Sequence, residues 1–517
     1  MKLPIDEALV SRARELAGEV VAPMLDYFAR HSTVAIERAV LRLYGVDGVD
    51  AEGVPWPNRV VDRLKASEQL AAGAAAALAH AVTTTGKRIQ EAAEALADGA
   101  IDVPETPAPA AADWARTEAR RALELLLGYR RARADLKTRL GAGVTPWKYL
   151  IVATGNIFED VPQAVLAARQ GADVIAVIRS TGQSLIDYVP YGHTTHGTGG
   201  TYATGANFRL MRGALDEVGE ELGRYVHLTN YASGLCMPEI TVLAAQEGLD
   251  MLLNDALYGI LFRDINIYRT LTDQNFSRML NAAAGIIINT GEDNYLTTAD
   301  AIDEGHTVLA SQFVNERFAL EAGMPPSLMG LGHAFEINPS TEDGLLYEIA
   351  MAQLVRQIFP DAPIKWMPPT KHVTGNVFWT YAHNTLFNLV GVLTDQSIEL
   401  LGILTEAIHT PFASDRFLAL KNAEYVFNFA RHLAGELTIA PDGRIATRAR
   451  HVLKEAVDLL EEVAADGLVT AVEKAEFADI ARPPDGGKGL EGVFARGAGY
   501  LNPFEEILSP LRKAEVA

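Results

Sequence analysis

Cysteine is nearly absent from the sequence, since Cys236 is the single one among 517 residues. A disulfide within the chain is therefore impossible, and we expect a reducing compartment, the cytoplasm. Long apolar runs are absent as well, because no stretch reaches the roughly 18 to 20 apolar residues of a membrane-spanning helix. The first residues alternate charged and apolar positions, unlike the apolar core of a signal peptide. The sequence thus predicts a protein that is neither exported nor anchored.

Positive charge is also scarce. The chain has 45 Lys and Arg against 66 Asp and Glu, which gives a formal net charge of −21. Such a field repels phosphate backbones and anionic membrane surfaces, so nucleic acid is excluded as the main ligand. The apolar fraction of 49% is that of an ordinary globular protein. The length exceeds what one hydrophobic core usually serves, which predicts a large domain with smaller additions.

The pattern of apolar and polar residues changes twice along the chain. Residues 1–145 contain alanine-rich runs with helical periodicity, such as SEQLAAGAAAALAHAV, and almost no strand signal. Short β-prone runs then alternate with amphipathic segments over residues 146–435. Residues 436–517 again have a helical pattern, together with loop-rich sequence. We expect a helical N-terminal extension, a central domain and a helical or loop C-terminal extension with these boundaries.

Eight β-prone runs lie in the central domain, and a helix-compatible segment follows each of them. Eight buried strands that alternate with helices are typical of the α/β class and predict a (β/α)8 TIM-type barrel. An open doubly wound sheet is the alternative. The runs are KYLIVAT (148–154), ADVIAVI (172–178), RYVHLTN (224–230), YGILFRD (258–264), GIIINT (285–290), MGLGHAFEI (329–337), IKWMPPT (364–370) and LTEAIHT (404–410).

Polar side chains follow the first half of these runs, where the active site of such a barrel lies. Arg179 and Ser184 follow the second run and suit a phosphate or carboxylate, because arginine offers a rigid fork of donors. Ser233, after the third run, could contact a ligand or cap a helix. Tyr258 opens the fourth run and could stack on a flat cofactor or be an ordinary buried tyrosine.

The later runs end in separate acids, lysines and histidines. Asp293, after the fifth run, could neutralise a substrate ammonium or cap a helix. Lys365 and Lys371 accompany the seventh run. No HExxH or similar spacing is present, so we expect no dedicated metal site. The remaining polar groups at these ends are His333, Glu336, His372, Glu406 and His409, whose roles the sequence leaves open.

The loop after the second run, YGHTTHGTGGTY (191–202), combines His193 and His196 with several glycines and threonines. Two histidines three residues apart could bind zinc, and a glycine-rich backbone could bind phosphate. No third metal ligand stands at a recognisable spacing. We interpret the loop as backbone that folds closely over the barrel mouth.

The barrel region contains eight long motifs in order: RSTGQSLIDYVPYGHTTHGTGGTYAT, NYASGLCMPE, LNDALYGILFRDIN, IINTGEDNYLTTADA, ASQFVNERFALEAG, MGLGHAFE, MPPTKH and LLGILTEAIHTPF. Together they resemble the barrel-bearing α subunit of the lysine 5,6-aminomutase family. The resemblance implies an isomerase of the intramolecular aminomutase type. It would use adenosylcobalamin and pyridoxal 5′-phosphate (PLP) to move the terminal amino group of D-lysine or L-β-lysine from C6 to C5, in lysine degradation.

The resemblance also implies roles for individual residues. Arg179 and Ser184 match contacts to the PLP phosphate or ring, Ser233 matches a contact near the pyridine nitrogen, and Tyr258 matches the aromatic that packs against PLP. Asp293 would contact the amino end of the substrate. The carboxylate of the substrate would contact a lysine of the seventh run, either Lys365 or Lys371.

Two features of the family are missing from this sequence. The DxHxxG motif that ligates cobalt and the lysine that holds PLP lie, in the family, on a smaller β subunit with a Rossmann-type cobalamin domain. The resemblance therefore implies a hetero-oligomer of α2β2 type in which this chain alone is inactive. The alternatives are a subunit like that of D-ornithine 4,5-aminomutase, in which the barrel is typically fused to its cobalamin domain, and a non-catalytic amino-acid-binding barrel.

Overall fold

The structure is a computed structural model and describes residues 1–291, 299–332, 334–335 and 337–509. No helix within these ranges is both long and apolar enough to cross a membrane. Among the described residues, six helices precede the barrel and three follow its last helix. In chain order the helices are α1 Glu7–Arg30, α2 Val34–Leu43, α3 Trp56–Ala66, α4 Ala74–Thr85, α5 Ile89–Ala97, α6 Pro109–Leu140, α7 Ile157–Arg169, α8 Gly205–Leu222, α9 Met237–Glu247, α10 Tyr258–Leu261, α11 Ile267–Ala284, α12 Gly305–Glu321, α13 Gly344–Ile358, α14 Val377–Leu393, α15 Ala413–Phe429, α16 Arg444–Asp466, α17 Leu468–Glu473 and α18 Pro503–Leu508.

Eight parallel strands form the central sheet, and each one pairs with the next in sequence except the sixth and seventh, for which the described residues show no pairing. The first strand also pairs with the last, as Tyr149 stands opposite both Val174 and Leu400. The sheet therefore curves round into a barrel that is closed apart from that one gap, which confirms the predicted TIM-type barrel and rejects the open sheet. The barrel strands are β2 Trp147–Ile151, β3 Val174–Ala176, β4 His227–Tyr231, β5 Met251–Leu253, β6 Ile287–Asn289, β7 Met329–Gly330, β8 Lys365–Trp366 and β9 Ile398–Leu400.

Two of the eight predicted strands were wrong. The fourth barrel strand is β5, and the run YGILFRD forms α10 instead, because the Asp255 carboxylate accepts from the amides of Leu257 and Tyr258 and starts a helical turn. The eighth strand is β9, whereas LTEAIHT forms turns beyond it. The other six runs each contain a barrel strand.

Side chains alternate along the strands between the barrel interior and the surrounding helices. Leu150, Ile175 and Leu252 point outward and pack against the helical layer. The lower end of the interior is closed by Trp147 and His227, whose rings stack with centroids 4.2 Å apart. The inward residues form one apolar cluster that includes Tyr149, Val174, Ala176, Met251, Ile398 and Leu400.

The segments before and after the barrel contact each other directly. Residues His31–Thr33 (β1) pair antiparallel with Val493–Ala495 (β10), so the N-terminal region contains a strand that its sequence did not indicate. The α1 helix packs on α12 and α16. Since both extensions also pack on the barrel, the division at residues 145 and 435 stays a prediction.

Candidate active site at the mouth of the barrel

Arg179 connects two loops at the carboxyl end of the barrel. Its Nε donates to the backbone carbonyl of Ser233 at 2.7 Å, and its Nη2 donates to the Ser233 hydroxyl at 2.9 Å and to the same carbonyl. Arg179 follows β3 and Ser233 follows β4, so the two strand ends are fixed relative to each other. The side chain of Arg179 is only 3% exposed. The site that the sequence placed at these two ends is therefore one connected structure.

Ser184 lies in the same cluster. It is buried in a short 3-10 turn, Thr181–Leu185, where its hydroxyl donates to the Thr181 carbonyl at 2.8 Å. Gly234 packs directly against it: the glycine has φ +137°, and an added Cβ would stand 2.7 Å from the Ser184 Cα. Only glycine fits both the conformation and the space. The hydroxyls of Ser184 and Ser233 thus belong to adjoining loops.

Tyr258 begins α10, just beyond β5, and its side chain is buried. Its hydroxyl accepts from Arg263 Nη2 at 3.3 Å, and the Arg263 guanidinium lies 4.6 Å from the centroid of the Phe262 ring. Asp255 fixes this turn to the next strand end, because its second carboxylate oxygen accepts from the Gly291 amide at 2.8 Å. The aromatic face and the second guanidinium therefore belong to one rigid turn.

Two guanidinium groups approach each other at this place. Burial is the main cause that lowers the pKa of Arg179 to about 10, and the charge of Arg263 acts in the same direction. Among the described residues, the hydrogen bonds of Arg179 go to Ser233 and that of Arg263 goes to Tyr258, with no carboxylate paired to either. Such a pair of cations suits an anionic ligand, because a bound anion would offset both the burial and the mutual repulsion.

The two candidate lysines occupy different environments. Lys365 is the first residue of β8, is fully buried, and places Nζ 5.3 Å from the centroid of the Tyr149 ring inside the barrel. Lys371 is exposed in a 3-10 turn, Thr370–His372, beyond the strand. The structure therefore separates the two positions that the sequence left open, one inside the barrel and one on its rim.

Glu406 lies in the loop beyond β9. Burial raises the pKa of its carboxyl to about 7, and its Oε1 has no hydrogen-bond partner among the described residues. His409, three residues further on, is exposed, with Nδ1 2.8 Å from the Thr410 carbonyl oxygen. The sequence named both without a role, and the structure shows a half-buried acid with a raised pKa and a solvent-exposed ring.

The loop 191–202 folds over the ends of β2 and β3. The Gly197 amide donates to the Gly155 carbonyl at 2.8 Å, and the Thr201 amide donates to the Ile178 carbonyl at 2.9 Å. Gly200 has φ +137°, and an added Cβ would stand 2.3 Å from the Arg179 carbonyl oxygen. This close approach agrees with our interpretation of the loop as backbone that covers the mouth.

The histidines of that loop each lie against an aromatic ring. His193 lies against Phe158 and His196 against Tyr202, with ring centroids 5.3 and 5.4 Å apart. In the part of the chain that the structure describes, no three His, Cys, Asp or Glu side chains form a group that could hold a metal ion. Three predicted polar residues lie outside the described residues: Asp293, His333 and Glu336.

Two residues of the site were missed from the sequence alone. Arg263 was noticed only as the end of a presumed strand, and Asp255 was not singled out. A sequence signal existed for Asp255, because an Asp commonly starts a helical turn by accepting from the amides two and three residues further on. For Arg263 no such signal existed, since its distance from Arg179 depends on how two separate loops pack.

Comparisons with known proteins agree with the geometry. The family model described as the D-lysine 5,6-aminomutase TIM-barrel domain of the alpha subunit matches residues 3–507. A lysine 5,6-aminomutase alpha subunit of Acetoanaerobium sticklandii is 54% identical over 510 residues, with 98% of both chains covered. One of Fusobacterium nucleatum subsp. nucleatum is 53% identical over 517 residues, which covers 98% of this chain and 99% of the relative.

A more distant relative is the D-ornithine 4,5-aminomutase subunit beta of A. sticklandii. It is 28% identical over 365 residues, which covers 68% of this chain but only 49% of the relative. The family match therefore extends over nearly the whole chain, whereas the ornithine enzyme shares a part of it. The barrel, its polar mouth and these matches lead to the same conclusion: the chain belongs to the family of D-lysine 5,6-aminomutase α subunits.

Proposed function

We propose that this chain is the barrel-bearing α subunit of an adenosylcobalamin- and PLP-dependent lysine 5,6-aminomutase. The reaction would move the terminal amino group of D-lysine or L-β-lysine from C6 to C5 by a radical route in lysine degradation. One observation carries the proposal for the cofactor site: Arg179 and Arg263 approach each other beside Tyr258, and no carboxylate of the described residues pairs with either.

The residues at the mouth fit PLP. A phosphate dianion would be neutralised by the two guanidiniums, and the hydroxyls of Ser184 and Ser233 would add donors for the phosphate and the ring. The buried ring of Tyr258 offers a flat apolar surface for stacking. Bound PLP would supply a carbonyl group for the migrating amine and a conjugated ring that stabilises an adjacent unpaired electron.

For the substrate we propose Lys365 as the partner of the carboxylate, in preference to Lys371. A fully buried ammonium attracts an anion more strongly than an exposed one, because water screens it less. Asp293 would bind the amino end, as the family resemblance implies. The role of this chain would be to orient the amino-acid substrate and to exclude water from it.

Adenosylcobalamin and the lysine that holds PLP would come from a β subunit with a cobalamin-binding Rossmann domain, in an α2β2 assembly. Two relatives that match along nearly their whole length are named alpha subunits. The surface also supports an assembly, because α14 contains no Asp, Glu, Lys or Arg and yet leaves Phe378 85% exposed. On the adjacent α15, Tyr425 and Phe429 are 62% and 79% exposed. Apolar surface of this extent is typical of a face that another chain covers.

The two alternatives have weaker support. The ornithine relative is 28% identical and matches over half its length, so we place this chain with the lysine enzymes. A non-catalytic barrel is disfavoured by Arg179 and Arg263 at the mouth, since no carboxylate of the described residues pairs with them and two such cations would be costly without a ligand. The single, buried Cys236 is compatible with a reducing cytoplasm.

The test is reconstitution with the β subunit. The purified pair, supplied with PLP and adenosylcobalamin, is expected to convert D-lysine or L-β-lysine to the 5-amino product, and this chain alone is expected to be inactive. Tyr258→Ala and Asp293→Ala are expected to abolish most turnover, whereas Tyr258→Phe keeps the stacking surface and most of the activity. Preferred turnover of D-ornithine, or no amino-acid isomerisation by the loaded pair, would overturn the proposal.

A further inference from the structure

Asn289 is the last residue of β6 and is fully buried. Neither Nδ2 nor Oδ1 has a hydrogen-bond partner among the described residues. A buried amide that has lost its hydrogen bonds to water and has gained none is unfavourable. Where such a group persists at the carboxyl end of a barrel strand, a bound ligand is a natural source of the missing partners.

The side chain of Asn289 points into the barrel. Ile287, two residues before it, packs on the interior cluster, and Ile288 packs on the outer helices. Because successive residues of a strand face opposite sides, Asn289 faces inward. Its neighbour in register on the next strand is Gly330, where an added Cβ would stand 3.0 Å from the Asn289 Oδ1. The absence of a side chain at Gly330 lets this strand approach closely without displacing the amide, since a Cβ there would also stand 2.4 Å from the Ile288 carbonyl oxygen.

Other barrel strands also place polar side chains among the apolar residues of the interior. We call Tyr149, Thr229, Tyr231, Asn289 and Lys365 the polar floor, since all five belong to barrel strands below the mouth. Lys365 brings an ammonium into the interior, above the ring of Tyr149. The Tyr149 hydroxyl lies beside those of Thr229 and Tyr231, and burial raises its pKa to about 12, so it stays protonated. The floor thus offers one cation and several neutral donors and acceptors.

We propose that Asn289 binds the zwitterionic end of the amino-acid substrate, with its amide N–H donating to the carboxylate and its Oδ1 accepting from the neighbouring ammonium. Lys365 supplies the opposite charge for the carboxylate. A neutral amide suits this end because it carries one donor and one acceptor group, whereas an aspartate would repel the carboxylate. The inference rests on the proposed function and adds a residue that determines which amino acids bind.

The decisive variant is Asn289→Leu in the reconstituted enzyme, since leucine has a similar volume and no polar atoms. If the amide serves the substrate, KM for lysine rises at least about tenfold, the fold-change expected for lost hydrogen bonds to charged groups. The thermal midpoint stays the same or rises, because an unpaired buried amide has been removed. A purely structural asparagine would show the reverse, with a lower midpoint and an unchanged KM.

The matched control is Asn281→Leu. Asn281 is also fully buried with both amide atoms unpartnered among the described residues, but it lies on α11, outside the barrel interior. Its KM for lysine is expected to equal that of the unaltered enzyme. Asn289→Asp serves as a second variant, because it keeps the shape and adds a charge that repels the carboxylate; its KM rises at least as much.

The end of the substrate that Asn289 contacts is tested with 1,5-diaminopentane, which is lysine without its carboxylate, as a competitive inhibitor. Its Ki is expected to rise clearly less in Asn289→Leu than KM for lysine, because the diamine keeps the ammonium that Oδ1 contacts and lacks only the carboxylate. An equal rise of both constants, or an unchanged KM for lysine, would overturn the inference. Absence of lysine turnover by the unaltered pair would instead overturn the proposed function, so the two failures are distinguishable.

Discussion

Arg179 and Ser233 are joined by two kinds of hydrogen bond, from Nε to the backbone carbonyl at 2.7 Å and from Nη2 to the hydroxyl at 2.9 Å. The same guanidinium is therefore both a structural link between two loops and a cation at the mouth of the barrel. Substitutions at this place are expected to affect both stability and ligand binding.

Arg179→Lys keeps the charge but cannot form the forked contact to Ser233. We expect the Kd for PLP, measured by absorbance titration of the reconstituted enzyme, to rise about tenfold or more. The free energy of unfolding should fall by about 1–3 kcal/mol, because the Ser233 groups lose their partner. Arg169→Lys is the control, since Arg169 is exposed and pairs with Glu221 on the outer surface. An unchanged Kd in Arg179→Lys would contradict the assignment of the phosphate site.

The glycine-rich loop provides a matched pair of variants. Gly200→Ala would place a methyl group 2.3 Å from the Arg179 carbonyl oxygen in a backbone conformation that alanine rarely adopts. Gly182→Ala, in the adjoining turn, meets no atom within 4 Å. We expect weaker PLP binding and a lower thermal midpoint for Gly200→Ala, and values close to those of the unaltered protein for Gly182→Ala. Equal behaviour of the two variants would show that close packing over Arg179 is unimportant.

The titration of Glu406 is expected to make the free energy of unfolding depend on pH. Burial raises its pKa from 4.5 to about 7, so between these values the folded state binds more protons than the unfolded state. Stability contributed by the neutral carboxyl is therefore present below about pH 4.5, is lost as pH rises, and is gone above about pH 7. The shift corresponds to at most about 3 kcal/mol. Glu406→Gln should reduce the loss of unfolding free energy between pH 5 and pH 8; an identical pH profile would rule out this titration.

Substitution of Arg482 tests whether the C-terminal extension helps to position Arg263 in the candidate site. Its Nη2 donates to the Leu261 carbonyl at 2.6 Å and its Nε donates to the Ile260 carbonyl at 3.1 Å, at the end of α10 and just before Arg263. Arg482→Ala is expected to raise the Kd for PLP several-fold and to lower stability by about 1–2 kcal/mol. Arg450→Ala removes an exposed bond to the Pro441 carbonyl and is the control. A normal PLP affinity in Arg482→Ala would show that Arg263 is positioned without this contact.

The barrel was predictable because its strand segments are short apolar runs at regular intervals, and six of the eight were located. Strand length does not explain the two failures, because β3 and β6 are also three residues long, β7 and β8 only two, and all four were located. The neighbouring run at Tyr258 is β-prone in composition, but the Asp255 carboxylate caps it into a helical turn. Side-chain capping at one position outweighed the propensity of several residues.

By itself the sequence determined the fold class, the family, and the strand ends that carry Arg179, Ser184 and Ser233, because these depend on periodicity and on motifs that are contiguous in the chain. Only the tertiary structure decided that Tyr258 begins a helical turn, that the charge of Arg263 acts on Arg179, that Lys365 is buried while Lys371 is exposed, and that Asn289 has no hydrogen-bond partner among the described residues. Those relationships depend on distances between residues far apart in sequence. Such distances are set by the closure of the barrel and the packing of its loops, which no local pattern encodes.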